Sequence, residues 1–295
     1  MRLFSIVSFC FLYTLFVNPA FSQTQAVNCP WANKTMAVDG GYISYLEGGH
    51  GEPILLLHGL FAQKEQWMDV GCAMASAGFN VIAPDLPGYG ASTGYPVTVY
   101  PLESQADILH NLILRLDKQN IHIAGSSMGG TIAALYTKKY AREIKTLAFI
   151  GAPLGVIGWS PQVKGAIFQG VNPFIPINEK QFDLEMSLLF FQPPIIEGDI
   201  KAKLIQEYVE NNRHYQQVWD IINLYDHSLY KMAIQNPRTL ILWGEHDGIF
   251  SIDGMPHLKK SFKNSQAIQL PNAAHLLMLE QPEKVVKFYS EFLKQ

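Results

Sequence analysis

The sequence predicts an α/β fold: a mostly parallel sheet flanked by helices, with a helical cap inserted between two of its strands. Short continuous apolar runs, suited to strands buried on both faces, alternate with segments whose apolar residues recur at helical spacing. That alternation stops once, over about residues 152–236, where prolines punctuate short amphipathic segments, and then resumes. At 295 residues and 48% hydrophobic, the chain suffices for one large core with an insertion, and no internal repeat points to an array.

The first 22 residues read as an export signal. Arg2 supplies positive charge, Leu3 to Val17 is almost wholly apolar, and Ala20-Phe21-Ser22 offers small residues where a signal peptidase cuts, so cleavage is expected after Ser22. As a helix this run would reach only about 22 Å, short of the roughly 30 Å hydrocarbon core. The expected product is an exported, periplasmic or secreted, protein. Cys10 leaves with the signal, and Cys29 and Cys72 remain. In an oxidising compartment they either pair, or Cys72 stays a buried free thiol. Asn33-Lys34-Thr35 matches a glycosylation acceptor, a pattern too short to carry weight.

Residues 23–34 are polar and read as an arm. Thr35 to Val38 and Tyr42 to Glu47 then read as a hairpin around Asp39-Gly40-Gly41. Ile54–Leu57, Phe79–Ala83, Ile121–Ala124, Thr146–Ile150, Thr239–Trp243 and Ala267–Leu270 are the remaining expected strands. Helices are expected over Gln66–Ala77, Leu102–Leu116, Thr131–Tyr140 and Pro282–Leu293, with Gly78 ending the first and Pro282 opening the last. The formal net charge is −3 and no Lys/Arg cluster stands out, so neither nucleic acid nor an anionic surface is an expected partner. A monomer acting on a small molecule is expected.

Gly125-Ser126-Ser127-Met128-Gly129, followed by Gly130, lies between an expected strand and an expected helix. That is the context a GxSxG nucleophile elbow requires, and the spacing selects Ser127 over Ser126. The Met128 amide would then point into the site from a helix N-terminus, which favours a developing oxyanion. His58-Gly59-Leu60 follows the strand Ile54–Leu57, where a second amide donor belongs. Leu60 is assigned to it, with Phe61 the alternative, and His58 reads as a brace for the loop. An acid and then a histidine should follow the serine, each in a loop after a strand. Asp247, in Trp243-Gly244-Glu245-His246-Asp247, and His275, in Asn272-Ala273-Ala274-His275, meet that order. Glu245 and Asp253 compete with Asp247, which is favoured by its distance from the strand and its short, easily held carboxylate. His246 reads as exposed. The parts suit acyl transfer without a cofactor, and no HExxH or paired Cys/His motif indicates a metal.

These residues carry a family resemblance. From Ile54 onward the sequence resembles the α/β-hydrolase superfamily, and within it lipases and monoacylglycerol lipases, through HGLFAQKEQW (58–67), DLPGYGAS (85–92), GSSMGG (125–130) and WGEHD with His275. The resemblance implies a cap over the site and a preference for fatty-acyl esters. Haloalkane dehalogenases and epoxide hydrolases carry aspartate where Ser127 stands, and proline iminopeptidases carry HGGPG where this chain has HGLFA. Carbon–carbon bond hydrolases of the same fold, and non-catalytic ligand-binding proteins on this scaffold, remain as alternatives. Phe182, Leu184, Met186, Leu188, Leu189, Phe190 and Phe191 form an apolar cluster that either packs the cap onto the core or lines an acyl-chain tunnel. Phe61, Leu189, Phe190 and Phe191 are the candidate substrate contacts, and a hydrophobic lid suits transient contact with a lipid interface.

Overall fold

In the computed structural model, which describes Cys29 and residues 31–225, 227–230 and 232–295, eight strands form one sheet. They are β1 (Trp31–Val38), β2 (Gly41–Gly48), β3 (Pro53–Leu57), β4 (Asn80–Pro84), β5 (Ile121–Gly125), β6 (Ile144–Ile150), β7 (Arg238–Gly244) and β8 (Ser265–Leu270), in the spatial order β1-β2-β4-β3-β5-β6-β7-β8. β2 pairs antiparallel with β1 and β4, and the other pairings are parallel. The export signal expected over residues 1–22 lies outside the described residues.

The inner strands β3 to β7 are largely apolar because both faces are covered. Leu55, Leu57, Leu147, Phe149, Ile241 and Trp243 join a core on one face with α2 (Leu102–Arg115), α3 (Met128–Lys139) and α8 (Met255–Ser261). Their neighbours Ile54, Leu56, Ala148, Ile150, Leu240 and Leu242 join the core on the other, with α1 (Met68–Ser76), α9 (Leu277–Glu280) and α10 (Pro282–Leu293). A fully buried Leu or Ile contributes about 1.5–3 kcal/mol, so this double layer is the main stabilising term.

Several boundaries differ from expectation. β1 begins at Trp31, inside the expected arm: Trp31–Lys34 pair with Tyr45–Gly48. This edge strand is largely exposed, and its first four residues, Trp31-Ala32-Asn33-Lys34, carry no apolar alternation that would mark a strand. The first helix is split, a 3₁₀ turn over Lys64–Trp67 leading into α1. The hairpin takes its positive φ angles from Asp39 and Gly40, at 47° and 84°, and Gly41 already belongs to β2. Between β6 and β7 the chain forms α4 (Pro161–Phe168), α5 (Glu179–Leu189), α6 (Gly198–Glu210) and α7 (Asn212–Ile222). Ser160 and Asn178 cap α4 and α5 by accepting from the Val163 and Gln181 amides.

Cys29 and Cys72 form a disulfide, with Cα atoms 5.4 Å apart, which ties the residue before the sheet's edge to α1. Beside it Trp31 packs closely against Gly71, where a Cβ would come within 2.1 Å of the indole ring. The bridge closes a separation of 43 residues. Cys72→Ser should lower unfolding stability by about 2–4 kcal/mol. Urea unfolding with and without reductant checks this: reduced wild type should match the variant, and an unchanged midpoint under oxidising conditions would show that the bond contributes nothing.

Candidate active site

Ser127 sits between β5 and α3 with φ 52° and ψ −121°, a conformation that costs a non-glycine residue about 1–3 kcal/mol. Glycines on either side make it possible. A Cβ at Gly125 would lie 2.3 Å from the Gly129 carbonyl, and one at Gly129 would lie 2.3 Å from the Leu57 oxygen and 2.4 Å from that of His58. The helix therefore starts against the end of β3, and Ser127 is driven to the sheet's C-terminal edge at the N-terminus of α3.

Two further loops at that edge bring the expected acid and histidine together. His275 Nδ1 donates to Asp247 Oδ2 at 2.9 Å, with both side chains buried. The other carboxylate oxygen of Asp247 accepts from the Ile249 and Phe250 amides, each at 2.9 Å. This grip fixes the carboxylate and leaves His275 Nε2 as the acceptor nitrogen. The competing acids are elsewhere: Glu245 is exposed and Asp253 accepts from Ser251 Oγ. His246 is exposed, under the ring of Phe191.

The loop after β3 is braced from three directions. His58 donates from Nδ1 to the Gly59 carbonyl at 2.8 Å and accepts at Nε2 from the Leu86 amide at 2.9 Å, tying this loop to the one after β4. Burial pushes its pKa down to about 4, partly opposed by nearby Asp85, so it is neutral and holds one tautomer. Gln66 Oε1 accepts from the Gly59 amide at 2.9 Å, a role nothing in the sequence marked. Asp85, wholly buried, accepts from the Lys64 amide and ammonium, both at 2.8 Å, and from the Ala91 amide at 2.9 Å. Removing one partner of such a buried pair costs about 3–5 kcal/mol. Among the described residues, no backbone carbonyl accepts from the Leu60, Phe61 or Met128 amides.

Above Ser127 and His275 lies a largely apolar cavity roofed by the insertion. Leu60, Phe61, Leu189 and Phe190 line it, as do Phe182 and Met186 of α5. Phe191 does not: it turns outward against His246, because its amide is held by Glu280 Oε1 at 2.7 Å. Leu184 and Leu188 pack on the core instead, so the apolar cluster of the cap divides between the two roles. Glu280 also accepts from the Ala274 amide at 2.7 Å, and the Leu189 carbonyl accepts from His275 and Leu276 at 3.1 and 3.3 Å. Cap and histidine loop are thus joined. Glu185 of α5 also faces the cavity and is buried, which pushes its carboxyl up to about 8.

Residues 52–187 and 192–282 match the family described as alpha/beta hydrolase fold. The chain belongs to that family. Among α/β-hydrolase relatives, Lipase 1 of Psychrobacter immobilis is 28% identical over 86% of this chain and 81% of its own length. Monoacylglycerol lipase ABHD6 of Homo sapiens is 25% identical over 83% of this chain and 76% of its own. A solved α/β-hydrolase structure, a membrane phospholipase A described as a bacterial virulence factor, superimposes with a TM-score of 0.81 and 26% identity, covering 96% of this chain and 92% of its own.

The neutral His58 of this α/β hydrolase makes stability depend on pH. Its folded pKa of about 4 lies below the ordinary 6.5, so its contribution is fully present above 6.5 and is lost as pH falls toward 4. The gap of about 2.5 pH units corresponds to about 3 kcal/mol. Glu185 acts with the opposite sign, since its raised pKa stabilises most at low pH, so wild type and His58→Gln are compared at each pH. In urea unfolding the stability advantage of wild type should shrink by about 3 kcal/mol from pH 7 to pH 4. A constant difference would mean that His58 titrates normally.

Proposed function

We propose that the protein is a carboxylic ester hydrolase acting on fatty-acyl esters, with Ser127 as nucleophile, His275 as general base and Asp247 as the acid that orients it. The observation that carries this is the buried Asp247–His275 pair opening onto the same cavity as Ser127, at the C-terminal edge of the sheet. Support comes also from the relatives, whose names are lipase, monoacylglycerol lipase and phospholipase A.

In this reading Ser127 Oγ attacks the ester carbonyl carbon while its proton passes to His275 Nε2. Negative charge on the carbonyl oxygen is received by the Leu60 and Met128 amides. Collapse of the tetrahedral intermediate expels the alcohol, which takes the proton from His275. Water then repeats the attack on the acyl-enzyme, releasing the fatty acid and restoring Ser127. The apolar cavity walls, with Phe61, Leu189 and Phe190 among them, receive the acyl chain. The protein acts as a monomer after export, with residues 1–22 removed and the cap in transient contact with lipid; an intact mass that retained those residues would contradict the export reading.

Ser127→Ala should reduce turnover by about a million-fold, and Asp247→Asn by about ten-thousand-fold through the wrong histidine tautomer. A fluorophosphonate should add to wild type at Ser127 and leave Ser127→Ala unlabelled. Absence of label on wild type would sink the hydrolase reading in favour of a binding protein. With p-nitrophenyl esters of graded length, longer acyl groups should outperform acetate; a preference for acetate would contradict the fatty-acyl assignment.

A further inference from the structure

The walls of the cavity above Ser127 are mostly apolar, but two carboxyl groups break the pattern. Glu185, 4% exposed, accepts from the Tyr208 hydroxyl at Oε1 over 3.2 Å, while among the described residues no protein group bonds its Oε2. Glu65 places Oε1 at 3.0 Å from the Lys64 ammonium and likewise has a buried Oε2 with no partner. An acyl chain alone would satisfy neither oxygen, and buried polar atoms are almost always bonded.

The surroundings of Glu185 locate it relative to the chemistry. Leu189, one helical turn further along α5, accepts through its carbonyl from the His275 and Leu276 amides, so Glu185 lies about 6 Å along the helix from the residue that fastens the histidine loop. On its other side the Tyr208 ring packs on Tyr215 at 5.3 Å, and Tyr215 packs on Phe61 at 4.8 Å, next to Leu60. Glu185 is therefore held between the two loops that flank Ser127.

We propose that Glu185 and Tyr208 form a polar subsite that binds a free hydroxyl of the substrate close to its ester group, so that the enzyme selects hydroxylated esters over their plain counterparts. This rests on the ester-hydrolase reading above. A hydroxyl both donates and accepts, which matches a protonated carboxyl, and burial favours that form of Glu185. Among the described residues an anionic group would find no cation, because none of the cavity-lining residues is Lys or Arg and the nearby Lys64 is paired with Asp85 and Glu65. Glu65 Oε2 offers a second acceptor on the same wall system. The hydroxyl belongs either to the alcohol part of the ester or to the acyl part.

The test measures kcat/KM for the ethyl ester of a medium-chain fatty acid, its hydroxyethyl and glyceryl esters, and the ethyl ester of the corresponding β-hydroxy acid. Wild type should favour a hydroxylated ester over the plain ethyl ester by about tenfold or more, the scale of one hydrogen bond, and the favoured arm names the source of the hydroxyl. Glu185→Leu should bring that ratio close to one. Glu185→Gln, which keeps a donor and an acceptor, should retain most of it. Equal kcat/KM across the esters in wild type, or a Glu185→Leu variant that slows every ester alike, overturns the subsite and leaves the hydrolase reading standing. Hydrolysis of no ester at all overturns both. Should Glu185→Leu fail to fold, Tyr208→Phe decides: a reduced ratio supports the subsite, and a wild-type ratio overturns it.

Discussion

The approach of α3 to the ends of β3 and β5 is the constraint on which the rest of the site depends. It is a matter of missing atoms: side chains at Gly125 and Gly129 would collide with backbone at 2.3 Å, so only glycine lets the helix begin there. Closing that gap forces Ser127 into its φ 52° conformation and brings the loop after β3 alongside, where even Gly59 would carry a Cβ only 3.4 Å from that of Ser127. The strain of about 1–3 kcal/mol is small against the burial of β3, β5 and β6 on both faces.

Around this fixed point, the neighbouring loops are held by polar groups in place of regular structure. Asp85 gathers Lys64 and the Ala91 amide, His58 links the loops after β3 and β4, and Gln66 holds Gly59. Asp247 is gripped by two amides and in turn holds His275. The cap is not an independent roof. Leu189 and Glu280 fasten it to the histidine loop, so any opening of the cap near α5 pulls on the backbone of His275. Substrate access and the position of the proposed base are thus mechanically coupled.

The α/β architecture was legible in the sequence because two-sided burial writes a strong pattern: Leu55 and Ile54 face different helices, yet both must be apolar. Ser127 was legible for a related reason, since steric exclusion demands glycine at fixed offsets. Other features left a weaker trace. The start of β1 was hidden because an exposed edge strand needs no apolar alternation, and Phe191 read as a cavity residue because apolarity alone does not tell which way a ring turns. Gln66 and Glu185 were illegible for the opposite reason. Each is a polar residue at helical spacing, where solvent exposure is the default, and only the packing of Gly59 and Tyr208 against them shows that they face inward.

On the proposed mechanism, backbone clearance at the elbow sets the reactivity of Ser127. The most direct test is the second-order rate constant for fluorophosphonate labelling of Gly129→Ala, measured on protein whose near-ultraviolet circular dichroism matches wild type. One methyl group against the Leu57 and His58 carbonyls should displace the serine enough to slow labelling by about a hundredfold. Labelling at the wild-type rate would show that this clearance does not control Ser127.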